Sequence, residues 1–280
     1  MTMRDHWIDT HHHLWQYNEQ EYPWMSERMA TLRRDFLAGD LEQVASRGGV
    51  KAAIAVQARQ RMEETEFLIE AARNSALIRG VVGWVPLIDR DVEMHLGRFA
   101  QDALFKGVRH ILQDEPDPYY MLREDFNDGV NQLKRYNLRY DLLVFARHLP
   151  QTITFVDRHP NQIFIMDHIA KPEIAKGEID EWARDIRALA ERENVLCKIS
   201  GMATEADWSS WSADQLKPYF DVVLNAFGPA RLMFGSDWPV LMLASSYERW
   251  LGVVASWLVD LSDEEAEAIR HRTATQVYGL

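Results

Sequence analysis

Short apolar runs recur along the chain, each followed by a segment of different periodicity. Eight of them read as strands: WIDTHH (7–12), KAAIAVQA (51–58), IRGVVGWV (78–85), FKGVRHIL (105–112), RYDLLVF (139–145), QIFIMDHIA (162–170), NVLCKISG (194–201) and RLMFGSDWP (231–239). Each is rich in Val, Ile, Leu or aromatic residues, and most carry few charges, as strands covered on both faces do. The segments between them have helical spacing. EETEFLIEAARNSAL (63–77) places Phe67, Leu68, Ala71 and Ala72 on one stripe, and DEWARDIRALAEREN (180–194) does the same with Trp182, Ile186, Leu189 and Ala190. SADQLKPYFDVVLNAFG (212–228) ends in Gly228, a C-cap signal, and Ser262 with Glu265 forms a capping box at the start of the last helix.

Eight strands alternating with helices predict an α/β fold, a single-domain (β/α)8 TIM barrel over residues 1–280. A doubly wound open sheet would show a glycine-rich phosphate turn after its first strand, and there is none. The connection from about residue 14 to 40 contains YNEQEYPWMSERM and reads as a long mouth loop.

Composition narrows the partners. A formal net charge of −12 argues against nucleic acid or an anionic membrane surface. The single cysteine, Cys197, excludes a disulfide framework and a cysteine-rich zinc site, and reads as a small buried hydrophobe. With no apolar leader and no run of membrane-spanning length, a cytoplasmic enzyme acting on a small molecule is expected.

Chemistry concentrates where the predicted strands end. In a strand, His11 and His13 share one face and His12 takes the other, where it packs against the helices. A purification tag is a poor reading of three histidines framed by apolar strand residues. His168 follows the sixth strand, with Asp167 expected on the opposite face, and Asp237 follows the eighth. Arg59 follows the second strand, Lys198 lies on the seventh, and of the adjacent Arg109 and His110 on the fourth only one points into the barrel. Polar groups at the ends of buried strands need partners or a task. Each has a plain structural alternative: Asp237 as a helix cap, His168 as a core histidine, Arg59 paired with Glu63 or Glu64, Lys198 in an ion pair. His148, His159 and His271 read as surface residues.

DTHHHLW (9–15), DHIAKP (167–172) and FGSDWP (234–239), with VVGWVPL, VRHILQDE and CKISG in order between them, resemble the amidohydrolase superfamily. The similarity is to its amidohydrolase-related (amidohydrolase 2) branch of sugar-lactone and aromatic-lactone hydrolases, and most to the L-fuconolactonase and L-rhamnonolactonase type. It implies that His11, His13, His168 and Asp237 form the catalytic set. The chain departs from binuclear members, which carry a Lys or Glu bridge on strand four and a His on strand five. Here strand four has His110, and no histidine follows strand five before His148. The resemblance therefore implies either one Zn²⁺ held by His11, His13, His168 and Asp237 or a metal-free site.

Opening a lactone needs an activated water, a stabilised oxyanion and a proton for the leaving alkoxide. Asp237 is the expected general base, returning the proton as acid, and the three histidines polarise the carbonyl. Arg59, Arg109, His110 and Lys198 are expected to bind substrate oxygens, and Trp24, Trp84 and Trp238 to offer stacking faces. The expected activity is hydrolysis of an aldonolactone, L-fucono- or L-rhamnono-lactone by resemblance. The alternatives are a carboxylated pyrone lactone, with Arg59 and Arg109 as carboxylate clamps, a zinc-dependent decarboxylation, or a barrel that only binds a sugar acid.

Overall fold

The computed structural model describes residues 6–280. Eight parallel strands follow one another in spatial order: β1 Trp7–His12, β2 Val50–Val56, β3 Ile78–Gly83, β4 Phe105–His110, β5 Arg139–Leu142, β6 Phe164–Met166, β7 Val195–Ile199 and β8 Leu232–Phe234. Beyond the end of β8 the ring is joined to β1 by two backbone bonds, Asp237 N–H to His11 O and His13 N–H to Trp238 O, both 2.7 Å. The closure thus sets the loop bearing Asp237 beside the two first-strand histidines.

Helices cover the outside: α1 Ala38–Ala45, α2 Met62–Arg73, α3 Val92–Phe99, α4 Glu124–Leu133, α5 Leu149–Asp157, α6 Asp180–Ala190, α7 Ala213–Phe227 and α8 Tyr247–Trp257. The larger core lies between strands and helices. In α2 the buried stripe is Glu64, Thr65, Leu68, Ile69 and Ala72, rotated from the expected one because Phe67 and Ala71 are only half-buried. In α6 all four expected residues are buried. Gly228 ends α7 at φ +70°, and Ser262 accepts from the Glu265 N–H to start α9, Asp263–Glu267. A π-turn at Ala268–Arg272 follows, then α10, Thr273–Tyr278.

The barrel interior is layered. Ile8, Ile54, Val82, Ile165, Leu196 and Met233 fill its lower half, and Ala274, Val277 and Tyr278 pack against them from the C-terminal segment. Above this apolar plug lies a charged layer, and above that the mouth.

The segment between β1 and α1 pins itself across the barrel. Trp15 and Phe36 exchange backbone bonds of 2.9 Å, and the Trp15 indole donates to Arg34 O at 2.9 Å. Trp15, Tyr22, Met25, Leu32 and Phe36 are buried and join the larger core. Among the described residues no helix is long and apolar enough to cross a membrane.

Candidate active site

The charged layer sets up everything above it. Lys198, pointing inward from β7 two residues after Leu196, pairs with Asp141 of β5 and lies 3.0 Å from Asp167. Arg109 of β4 reaches the other Asp167 oxygen at 3.0 Å and also donates to the Gln57 carbonyl. Two cations face two carboxylates, all four almost fully buried. Buried charge survives only when compensated in this way. Burial works against the Lys198 ammonium, but Asp141 and Asp167 outweigh it and hold its pKa above the usual range. Burial likewise pushes Asp167 up, and Lys198 and Arg109 more than reverse it.

Strict alternation puts Asp167, two residues after the interior Ile165, inside the barrel. The expectation that Asp167 and His168 occupy opposite faces is corrected by the backbone. From His168 to Lys171 the chain runs left-handed, with φ between 48° and 63°. The turn redirects His168 into the mouth while Asp167 stays inward. A run of non-glycine residues in this region costs energy at each position and persists only where surrounding structure enforces it. Gly201 makes room: a Cβ there would lie 2.6 Å from His168 Nδ1, and its own φ is +66°.

On β1 the register slips between Asp9 and His12. Ile8 faces inward and Asp9 outward, accepting from Ser236 Oγ at 2.6 Å and Tyr247 OH at 2.9 Å. His11 and His13 both face the mouth, their rings 4.9 Å apart. His12 is fully buried on the other side with neither ring nitrogen hydrogen-bonded, and burial pushes its pKa down to about 3.

Three imidazoles meet at Asp237. Its Oδ1 lies 3.3 Å from His13 Nε2 and 3.8 Å from both His11 Nε2 and His168 Nε2. Their other nitrogens are engaged. His13 Nδ1 donates to the Val56 carbonyl at 2.8 Å, His11 Nδ1 lies 3.2 Å from Asp167, and His168 Nδ1 lies 2.9 Å from Ser200 Oγ. A carbonyl only accepts, so His13 Nδ1 carries a proton and its Nε2 faces the carboxylate. Burial, then Lys198, drives His11 well below its usual range; burial does the same to His168 against the pull of Asp237. Burial raises Asp237, but His168 and His13 outweigh it and leave the carboxyl below the usual range.

Imidazole nitrogens and a carboxylate oxygen at these distances suit a shared cation or proton, and His11 Nε2 also accepts from Arg109 at 3.2 Å. His11, His13 and Asp237 present ligand atoms all within 4.8 Å of one another. Ligands of a tetrahedral zinc, each about 2.1 Å from it, lie about 3.4 Å apart. The donor set therefore fits one divalent ion, with His168 beside it.

The mouth is a cavity of about 300 Å³ whose floor is His13, His168 and Asp237. Trp24, Arg109, Lys171, Glu205 and Trp208 line it, as do Met29, Val240 and Leu243. Several expected site residues lie elsewhere. Arg59 is held by Glu21 and Glu64 rather than on the cavity wall, and Glu64 is buried, not a surface partner. Arg109, not His110, faces inward. His110 points to the helical layer, 2.6 Å from Glu115, with the Trp84 indole 3.3 Å from its Nδ1. Lys198 lies below the cavity, and Trp238 packs edge-on against Phe36, 5.2 Å away. His148 and His159, expected at the surface, are buried; His159 bonds Asn127 and Asn131. Nothing in the sequence singles out Lys171 or Glu205 as cavity residues, although Lys171 stands in the same DHIAKP stretch as His168.

A (β/α)8 barrel with three histidines and an aspartate gathered at its mouth defines a hydrolase of the metal-assisted or general-base kind. The chain belongs to the amidohydrolase family, whose sequence profile matches residues 8–280. It is 39% identical to an L-fucono-1,5-lactonase of Burkholderia multivorans over 98% of this chain and 96% of that protein. It is 35% identical to an L-fucono-1,5-lactonase of Burkholderia ambifaria over 92% of this chain and 86% of that one. A crystal structure of a Burkholderia multivorans amidohydrolase with zinc bound superposes at a TM-score of 0.94, with 39% identity, covering 98% of this chain and 99% of that one.

Proposed function

We propose that the chain hydrolyses the ester of an aldonolactone, with L-fucono-1,5-lactone as its substrate. The observation that carries this is the convergence of three imidazoles on one Asp237 oxygen at the floor of a partly apolar cavity. The similarity to two L-fucono-1,5-lactonases supplies the sugar.

Asp237 takes a proton from water as the water attacks the lactone carbonyl. Its carboxylate is ionised at neutral pH, which a base must be. Charge then develops on the carbonyl oxygen, and collapse of the adduct expels the ring oxygen, to which Asp237 returns the proton. The charged layer below holds the His11 ring at both edges, with Nδ1 3.2 Å from Asp167 and Nε2 accepting from Arg109 at 3.2 Å. His13, His168 and Asp237 would hold a zinc ion together with His11, and such an ion supplies Lewis acidity to a carbonyl and acidity to a bound water. After zinc loading and gel filtration the protein is expected to retain about one equivalent per chain by mass spectrometry of the metal, as suits a single four-ligand site. His13→Ala should retain much less; equal retention by both proteins would count against this ligand set.

A carboxylated pyrone fits less well. It calls for arginine clamps, and Arg59 is taken by Glu21 and Glu64 while Arg109 is taken by Asp167. The test is acid release measured with a pH indicator across neutral aldonolactones and a pyrone dicarboxylate. Release from L-fucono-1,5-lactone but not from the pyrone is expected. The reverse pattern, or silence on every aldonolactone, would overturn the reading.

A further inference from the structure

One feature of the cavity wall is not used by this chemistry. Lys171 closes the left-handed run that begins at His168, and Glu205 ends the short turn Ala203–Glu205 after β7. Their charged ends stand 4.0 Å apart, with side chains only 19% and 24% exposed. That is beyond hydrogen-bond length. Among the described residues neither side chain has a hydrogen-bond partner, although both line the cavity that holds Asp237. A half-buried ammonium and carboxylate that approach without bonding leave room for an atom that can both accept and donate. A hydroxyl oxygen does so: two bonds of about 2.8 Å would meet at it at roughly 90°.

We infer that Lys171 and Glu205 form a hydroxyl-reading pair, in which the ammonium donates to one ring hydroxyl of the substrate and that hydroxyl donates to the carboxylate. The hydroxyl is the one on the carbon next to the lactone carbonyl. Both residues line the cavity that holds His168 and Asp237, and Lys171 ends the left-handed run that begins at His168, so the pair stands beside the reacting carbonyl. Elsewhere the wall is mixed, with Gln113, Asp114 and Thr204 polar. Met29, Val240 and Leu243 offer no polar side chain to a hydroxyl, so they suit the less polar edge of the ring. The substrate class that results is a 2-hydroxy lactone. Sites built to bond a hydroxyl discriminate strongly against analogues that lack it, because their own polar groups are then left unpaired.

The inference rests on the lactonase reading, and its test separates the two. kcat/KM is measured for an aldonolactone and its 2-deoxy counterpart on the wild type, Lys171→Met and Glu205→Leu, each checked for folding by circular dichroism. The wild type is expected to prefer the hydroxylated lactone by about 100-fold or more. In either variant that ratio should fall below about 5, because the loss is confined to the hydroxylated substrate. Should a variant turn over too slowly, calorimetric affinities for the two product acids show whether the preference for the hydroxyl is lost. Equal losses on both substrates, or a wild type indifferent to the hydroxyl, would overturn the pair. Wild-type silence on the hydroxylated lactone would instead overturn the lactonase reading.

Discussion

Replacing Asp237 with Asn is expected to lower kcat on L-fucono-1,5-lactone by about 10³-fold, within the range that general acid–base catalysis contributes. The substitution isolates the chemistry because of where Asp237 sits. Its φ of +59° is left-handed, a region that Asn tolerates as well as Asp does. Its backbone N–H, which closes the barrel onto His11 O, is unchanged by the replacement. Asn therefore keeps the loop, the closure and the shape of the floor while removing the base. It also removes the negative charge that the three imidazoles face. The circular dichroism spectrum should match the wild type. Full turnover by Asp237→Asn would take this residue out of the mechanism.

Lys198→Met is expected to have the largest effect on stability. The ammonium is fully buried between Asp141 and Asp167, and methionine fills similar space without charge. Removing one partner of a buried pair costs about 3–5 kcal/mol, because the carboxylates are left uncompensated. For a chain of this length that corresponds to a fall in Tm of about 5–9 °C. Adding Asp141→Asn should return part of the loss, since it removes the carboxylate whose main partner was Lys198, whereas Asp167 keeps Arg109. A double variant no more stable than Lys198→Met would show that the charges are not coupled. Activity should also fall in Lys198→Met, because Asp167 positions His11 and Lys198 positions Asp167.

The barrel was legible because apolar strand runs and helical stripes alternate eight times, a signal that local irregularity does not erase. The pair His11 and His13 was legible for the same reason, even though the β1 register slips beside it. Alternation failed at His168, where four left-handed residues in succession have no signature in a stretch without glycine. It also left Arg109 and His110 undecided, since the choice depends on which strand face meets Asp167. Lys198 was recognised as needing a partner, but the partners come from β5 and from the end of β6, more than 30 residues away. Arg59 was drawn off by Glu21, a residue of the segment between β1 and α1 whose path the sequence does not prescribe. His159 reads as exposed in sequence because the asparagines that satisfy it lie on α4. Lys171 and Glu205 come from two different strand ends, and only the folded mouth makes them neighbours.

Whether this site opens an aldonolactone is decided by a proton NMR time course on fresh L-fucono-1,5-lactone. With the wild-type protein, conversion to the open-chain aldonic acid is expected far faster than in buffer alone, at a rate proportional to enzyme concentration. Disappearance of the lactone only at the buffer rate, whether or not zinc is added, would contradict it.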